Sequence, residues 1–175
     1  MQTVVSNFKM TTRSIISILT ITFFITASFA AHGQDQLGQN HTLKFDTSKT
    51  AIIEFNPKNE WLFDSSYKTA KLTQNELQIV EGILLNCIAD YNNSLDKDHK
   101  LWSIDFRKNN YRKQLIVVIN SKGEKQVWVN CFCSASGDKW KNKIYVVDDG
   151  GNCFFSFKIN LATKKYYDLG VNGSA

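Results

Sequence analysis

The stretch Thr73–Ser94, TQNELQIVEGILLNCIADYNNS, decides the fold. Thr73 and Glu76 stand three apart, the spacing at which each side chain satisfies the other's unpaired backbone N–H in a capping box. Leu72 before the cap and Leu77 after it are placed for a hydrophobic staple. From there Leu77, Val80, Leu84, Cys87, Ile88 and Tyr91 recur at helical spacing and form one apolar face. Asn92-Asn93-Ser94 then favours a stop, because short polar side chains compete for the backbone. The segment predicts one amphipathic helix whose stripe has to be buried against another element.

The rest of the chain supplies a sheet. After a charged stretch from Asp96 to Lys113, the apolar period falls to two. QLIVVIN, then SKGE, then KQVWVNCFCS predicts a hairpin turning near Lys122-Gly123. KIYVVDD, the glycine pair Gly150-Gly151 and NCFFSFKINL predict a second hairpin, and YYDLGVN a last strand. Upstream, TAIIEF (Thr50–Phe55) reads as a first strand ended by Asn56-Pro57. NEWLFDSSYKTAK has no clear period and is left irregular. One strand, one long helix and several later strands predict an α+β domain, the helix packed on a curved antiparallel sheet of four to six strands. In topology alone this resembles a cystatin-like roll.

Pairing the hairpins by their turns assigns side chains to faces. Val127, Val129, Cys131 and Cys133 are expected beneath the helix with Ile144, Val146, Cys153, Phe155, Phe157 and Ile159. Leu115, Val117, Ile119, Trp128, Phe132, Tyr145, Val147 and Phe154 are expected on the opposite face, interrupted by Asn130, Ser156 and Lys158. An uncovered sheet face normally alternates to polar residues. This one stays apolar, so it needs a cover: residues 50–72 or 101–112, with Trp61, Phe63, Trp102 and Phe106, or else a partner. Trp128, Phe132, Tyr145, Val147 and Phe154 are therefore the candidate interaction face, for a partner protein, a small ligand or a second copy in a homodimer.

The N-terminus carries an address. Lys9 and Arg13 precede SIISILTITFFITASFAA, a charge-free apolar run ending in small residues ahead of polar GQDQLGQNHT. That order is a secretory signal peptide over residues 1–33, with cleavage after Ala30 or after Gly33. A retained membrane anchor is the competing reading, since about 18 apolar residues just suffice to span. The absence of a basic stop-transfer cluster favours cleavage and export, periplasmic or secreted, with no stable anchor left. Residues 34–48 read as a flexible leader and 49–175 as a single domain. Loss of Lys9 and Arg13 lowers the formal net charge from +5 to +3, with 19 basic against 16 acidic residues. That is too mild to argue for nucleic acid.

Cys87, Cys131, Cys133 and Cys153 stay with the exported chain, and an even count invites a disulfide. Cys131 and Cys133, two apart on one strand, suit a mutual bridge poorly. If the second hairpin forms a simple meander, Cys153 lies two strands away from both, roughly 10 Å, beyond the reach of a bridge. At most one bridge is expected, from Cys87 on the helix to the sheet, or none if all four are buried core residues. Cys-x-Cys on a strand is a weak zinc pattern, and His41 and His99 lie in polar stretches away from it. Asp148–Asn152, DDGGN, lacks the spacing of a calcium loop and reads as a tight turn. No nucleotide-binding or nucleophile-elbow motif occurs. No cofactor, metal site or catalytic residue is assigned. Asn40, Asn92 and Asn172 head N-glycosylation sequons, relevant only in a eukaryotic host.

NCFC, the tail DGGNCFFSFKINLATKKYYDLGVNGSA and the preceding NSKGEKQVWVN resemble small exported proteins of Bacteroidota. The resemblance covers about Asn120 to Ala175 and implies a Gram-negative envelope or secreted location. It brings no activity and no catalytic residue. Two functional readings stand. One is a non-enzymatic binding or interaction module. The other is a small enzyme in a helix–sheet cavity, using a polar set such as Asp105, Tyr145 or Lys158.

Overall fold

A computed structural model of the chain describes residues 46–173. The segment expected to be a signal peptide and most of the expected leader lie outside the described residues. The elements run β1 (Thr50–Ile53), β2 (Lys68–Thr69), α1 (Gln74–Ser94), β3 (Arg112–Ile119), β4 (Lys125–Phe132), β5 (Phe154–Asn160) and β6 (Lys165–Val171). The sheet order is β1-β3-β4-β5-β6, with β2 also on β3. Every pairing is antiparallel except β1 with β3, which is parallel. Among the described residues, one helix on a six-stranded, mostly antiparallel sheet is the α+β class expected, with one parallel pair added by the return through α1.

The helix begins where its local chemistry places it. Thr73 Oγ1 accepts from the Glu76 N–H, and Glu76 Oε2 accepts from the Thr73 N–H at 2.7 Å. It ends at Ser94, where the Asn92-Asn93-Ser94 run favours a stop, and the Ser94 hydroxyl donates to the Tyr91 carbonyl at 2.7 Å. Asn92 donates to the Ile104 carbonyl and accepts from the Ile104 N–H, both at 2.8 Å. The predicted stripe is buried from Leu77 to Ile88, with Tyr91 only partly covered, and it is joined by Ile83 and, unexpectedly, by Glu81.

One turn moves a whole strand to the other face. The β3–β4 loop closes at Asn120 and Glu124, where Asn120 N–H donates to the Glu124 carbonyl at 3.0 Å. Three residues, Ser121 to Gly123, make the bend, with Gly123 at φ 78°. This is the three-residue hairpin loop that wants glycine in the left-handed region. Leu115 therefore pairs with Val129 and Val117 with Val127. A four-residue turn would have shifted the register by one and inverted every side chain. Leu115 and Val117 lie under the helix, while Ile116 and Val118 take the opposite face.

The second predicted hairpin does not form. KIYVVDD is not a strand, DDGGN is not a hairpin turn, and β4 pairs directly with β5. Side-chain amides hold the segment instead. Gln114 donates to the Trp140 and Lys143 carbonyls at 2.5 and 2.6 Å and accepts from Tyr145 N–H at 2.9 Å. Asn130 donates to the Tyr145 carbonyl at 2.7 Å and to Gln114 Oε1 at 3.1 Å. Asn172 donates to the Val147 and Asp149 carbonyls. With these backbone groups bonded by side chains, the segment crosses the face as a strap and adds no strand. Ile144 accordingly packs on the face away from the helix, and Val146 is exposed.

Two cores result. Beneath α1, Leu84, Cys87, Leu115, Val129, Cys131, Phe157 and Ile159 are all buried. Across the sheet, Trp128, Phe132, Ile116 and Val118 are covered by Phe55, Leu62, Phe63 and Trp140. The 50–67 segment thus covers the second face together with the strap. Phe106 packs on the helix side with Tyr111 and Phe155.

Candidate functional site

The face expected to interact is closed by the chain itself. Trp128 is 3% exposed and Phe132 fully buried, while Tyr145, Val147 and Phe154 are half-buried. Trp61 stacks edge-on over Trp128 at 5.8 Å, and Trp140 meets Phe132 at 5.7 Å. Arg112 then covers Trp140, its guanidinium 5.5 Å from the ring centre.

The helix–sheet interior is packed, and its ionisable groups are paired or quenched. Lys113 Nζ donates to Glu81 Oε1, and both side chains are only 9% exposed. Beside them Cys131 is fully buried, and burial raises its thiol far above the ordinary range. Burial, aided by the Asp90 charge, pushes Cys87 up to about 12. Burial disfavours the thiolate form of both, so neither is an activated nucleophile. Glu81 could have been found in the sequence: it stands four after Leu77 and three before Leu84, on the stripe itself. Lys113 is harder to find, because its partner is 32 residues away.

Asp105, Tyr145 and Lys158 are not brought together. Asp105 pairs with Arg107, and that guanidinium holds its carboxyl below the usual range. Tyr145 belongs to the strap on the far face. Lys158 sits over the Phe63 and Tyr167 rings and reaches Asp168 at 3.1 Å.

The cysteines pair differently from expectation. With no strand between β4 and β5, Cys133 faces Cys153 across their ends. Their Cα atoms are 5.1 Å apart and the sulfurs are bonded. The bridge joins sheet to sheet, and Cys87 and Cys131 stay reduced. Among the described residues no group of three His, Cys, Asp or Glu could hold a metal, and no helix is long and apolar enough to cross a membrane. Asn92 and Asn172, two of the sequon asparagines, spend their amides on internal carbonyls.

Two clefts flank the loop Leu95–Asn109, after α1. On one side a cleft of about 420 Å³ is lined by Tyr91, Leu95, His99, Trp102, Leu169, Val171, Asn172 and Gly173. His99 Nδ1 meets Asp96 Oδ1 at 2.7 Å, but these side chains are 62% and 66% exposed. A carboxylate that orients a catalytic histidine is buried, and this one is not. On the other side a cleft of about 800 Å³ lies between α1 and the loop. Leu85, Ile88, Ile104 and Phe106 give it apolar walls, and Lys100, Asp105, Arg107 and Lys108 give it charge. Leu101, 93% exposed, and Leu85, 43% exposed, stand at its edge.

The loop that shapes these clefts is tied at several points. Asn92 holds Ile104 twice, Lys100 Nζ donates to the Asn92 carbonyl at 2.9 Å, and Asn152 donates to the Ser103 carbonyl at 2.7 Å. Asn152 is held in turn by Tyr111, whose hydroxyl donates to its carbonyl at 2.6 Å. Leu101 is thus an apolar side chain presented on a fixed turn. Sequence reasoning missed this cleft because its parts come from α1, a loop without periodicity, and Asn152. Comparison with protein-family models, curated proteins and solved structures found no match.

Proposed function

We propose that this chain is an exported, non-enzymatic binding module whose binding site is the cleft between α1 and the Leu95–Asn109 loop. The observation that carries the reading is Leu101, 93% exposed at the mouth of an open cleft of about 800 Å³. A volume of that order suits a small-molecule ligand, and the tied loop limits the ordering cost of binding. Export draws on the N-terminal signal pattern, the resemblance to exported Bacteroidota proteins, and a disulfide of the kind that persists in oxidising compartments.

Two measurements test the two parts. Expressed in a Gram-negative host, the full chain is expected in the periplasm or medium, beginning at Ala31 or Gln34. Recovery with residues 1–33 attached overturns export with cleavage. For the site, the neutral dye N-phenyl-1-naphthylamine is expected to brighten with the mature protein. Leu101→Asp should abolish the rise, whereas Val146→Ser, at an exposed apolar residue on the strap, should leave it intact. No brightening, or brightening unchanged by Leu101→Asp, overturns the cleft as the binding site.

A further inference from the structure

The charge of the cleft narrows its ligand. Three cations line it, Lys100, Arg107 and Lys108, against one carboxylate, Asp105. That carboxylate is already engaged: Arg107 Nε and Nη2 reach its two oxygens at 3.1 and 3.2 Å, and the Arg107 N–H donates to it at 2.9 Å. Lys100 donates to a neutral carbonyl, which leaves its charge uncompensated by that bond. Neither Lys100 nor Lys108 forms an ion pair with a carboxylate among the described residues. The walls beside these cations are the apolar side chains Leu85, Ile88, Phe106 and Leu101.

Resting on the cleft reading above, we propose that the occupant is a small anionic amphiphile: an apolar chain with one carboxylate or similarly charged head. The chain lies along Leu85, Ile88 and Leu101, where it removes exposed apolar surface from water. The head sits toward Lys100 and Lys108, in a lining where three cations face one carboxylate. A cationic head is repelled by those lysines, and a neutral head lacks the charge attraction an anion gains. The contribution of the head is salt-sensitive, since exposed charges are screened within about 8–10 Å at ordinary ionic strength.

The test is displacement of N-phenyl-1-naphthylamine from the mature protein at low salt, with each amphiphile kept below its micelle concentration. Dodecanoate is expected to bind about tenfold or more tighter than dodecyltrimethylammonium, and added salt should narrow the gap. Lys108→Glu should weaken dodecanoate by about fivefold. Leu101→Asp, with Leu101→Ser beside it, should weaken it by about tenfold or more. These residues are exposed, so an unchanged melting curve is the folding control.

Equal affinity for both head groups, with Leu101 still required, overturns the anionic assignment and leaves the binding module standing. Dodecanoate binding that ignores both Leu101→Asp and Lys108→Glu overturns the cleft as well. Binding to phosphatidylglycerol vesicles without binding of free dodecanoate overturns the small amphiphile in favour of a membrane surface.

Discussion

Glu81 and Lys113 show how a charged pair comes to sit in an apolar interior. Glu81 stands on the buried stripe of α1, and Lys113 pairs with Cys131 on the inward face of β3. Removing Lys113 leaves the Glu81 carboxylate without its ion-pair partner in a largely buried setting. Lys113→Met is therefore expected to cost about 3–5 kcal/mol, while Glu81→Leu with Lys113→Met recovers most of it. Denaturant midpoints measure both, and a single-variant cost below about 1 kcal/mol would contradict the geometry. Gln114 and Asn130 act differently on the other face. They look like polar interruptions of an apolar sheet, yet each amide bonds the strap, so their burial is compensated.

At the scale of elements, α1 and β3 differ in how far their placement is local. Everything that starts α1 lies within Leu72–Leu77, so the capping box and the apolar spacing were legible in sequence. Glu76 also reaches Lys125 at 2.6 Å. That ion pair, with the Thr73 N–H, holds its carboxyl below the ordinary value of 4.5. A lowered folded pKa means stability that is present above the ordinary value and is lost as pH falls through the folded one. Glu76→Gln keeps the cap but not the ion pair. It should cost about 0.5–1 kcal/mol at neutral pH. The difference should shrink as thermal melts are repeated below pH 4.5; a gap constant with pH would remove the ion pair from the account. For β3, the strand was legible and its face was not. Five residues from Asn120 to Glu124 fit more than one turn, and the turn actually formed differs by one residue.

Across the whole molecule, the disulfide and the two covered faces follow from one topological fact, that β5 and not KIYVVDD pairs with β4. It brings Cys133 to Cys153 and leaves Cys87 and Cys131 reduced. Thiol titration of the unreduced protein is expected to find none reactive when native and two per chain after denaturation. Four would eliminate the bridge. Replacing both Cys133 and Cys153 by Ser should lower stability by about 2–4 kcal/mol. The same topology frees the strap to cover Phe132, which turns a would-be interaction face into a second core.

The sequence alone determined what depends on near neighbours: the helix with its start and most of its stripe, the strands β1 and β3 to β6, and the α+β class. Capping, periodicity and turn residues act within a few positions, so the chain states them directly. Tertiary structure decided the rest: the face of each β3 residue, the partner of Cys153, the pairing of Glu81 with Lys113, and the cleft at Leu101. Each of these depends on which backbone groups find partners dozens of residues away. A side-chain amide such as Gln114 can satisfy a segment as well as a neighbouring strand can. That competition is settled only when the whole sheet is assembled.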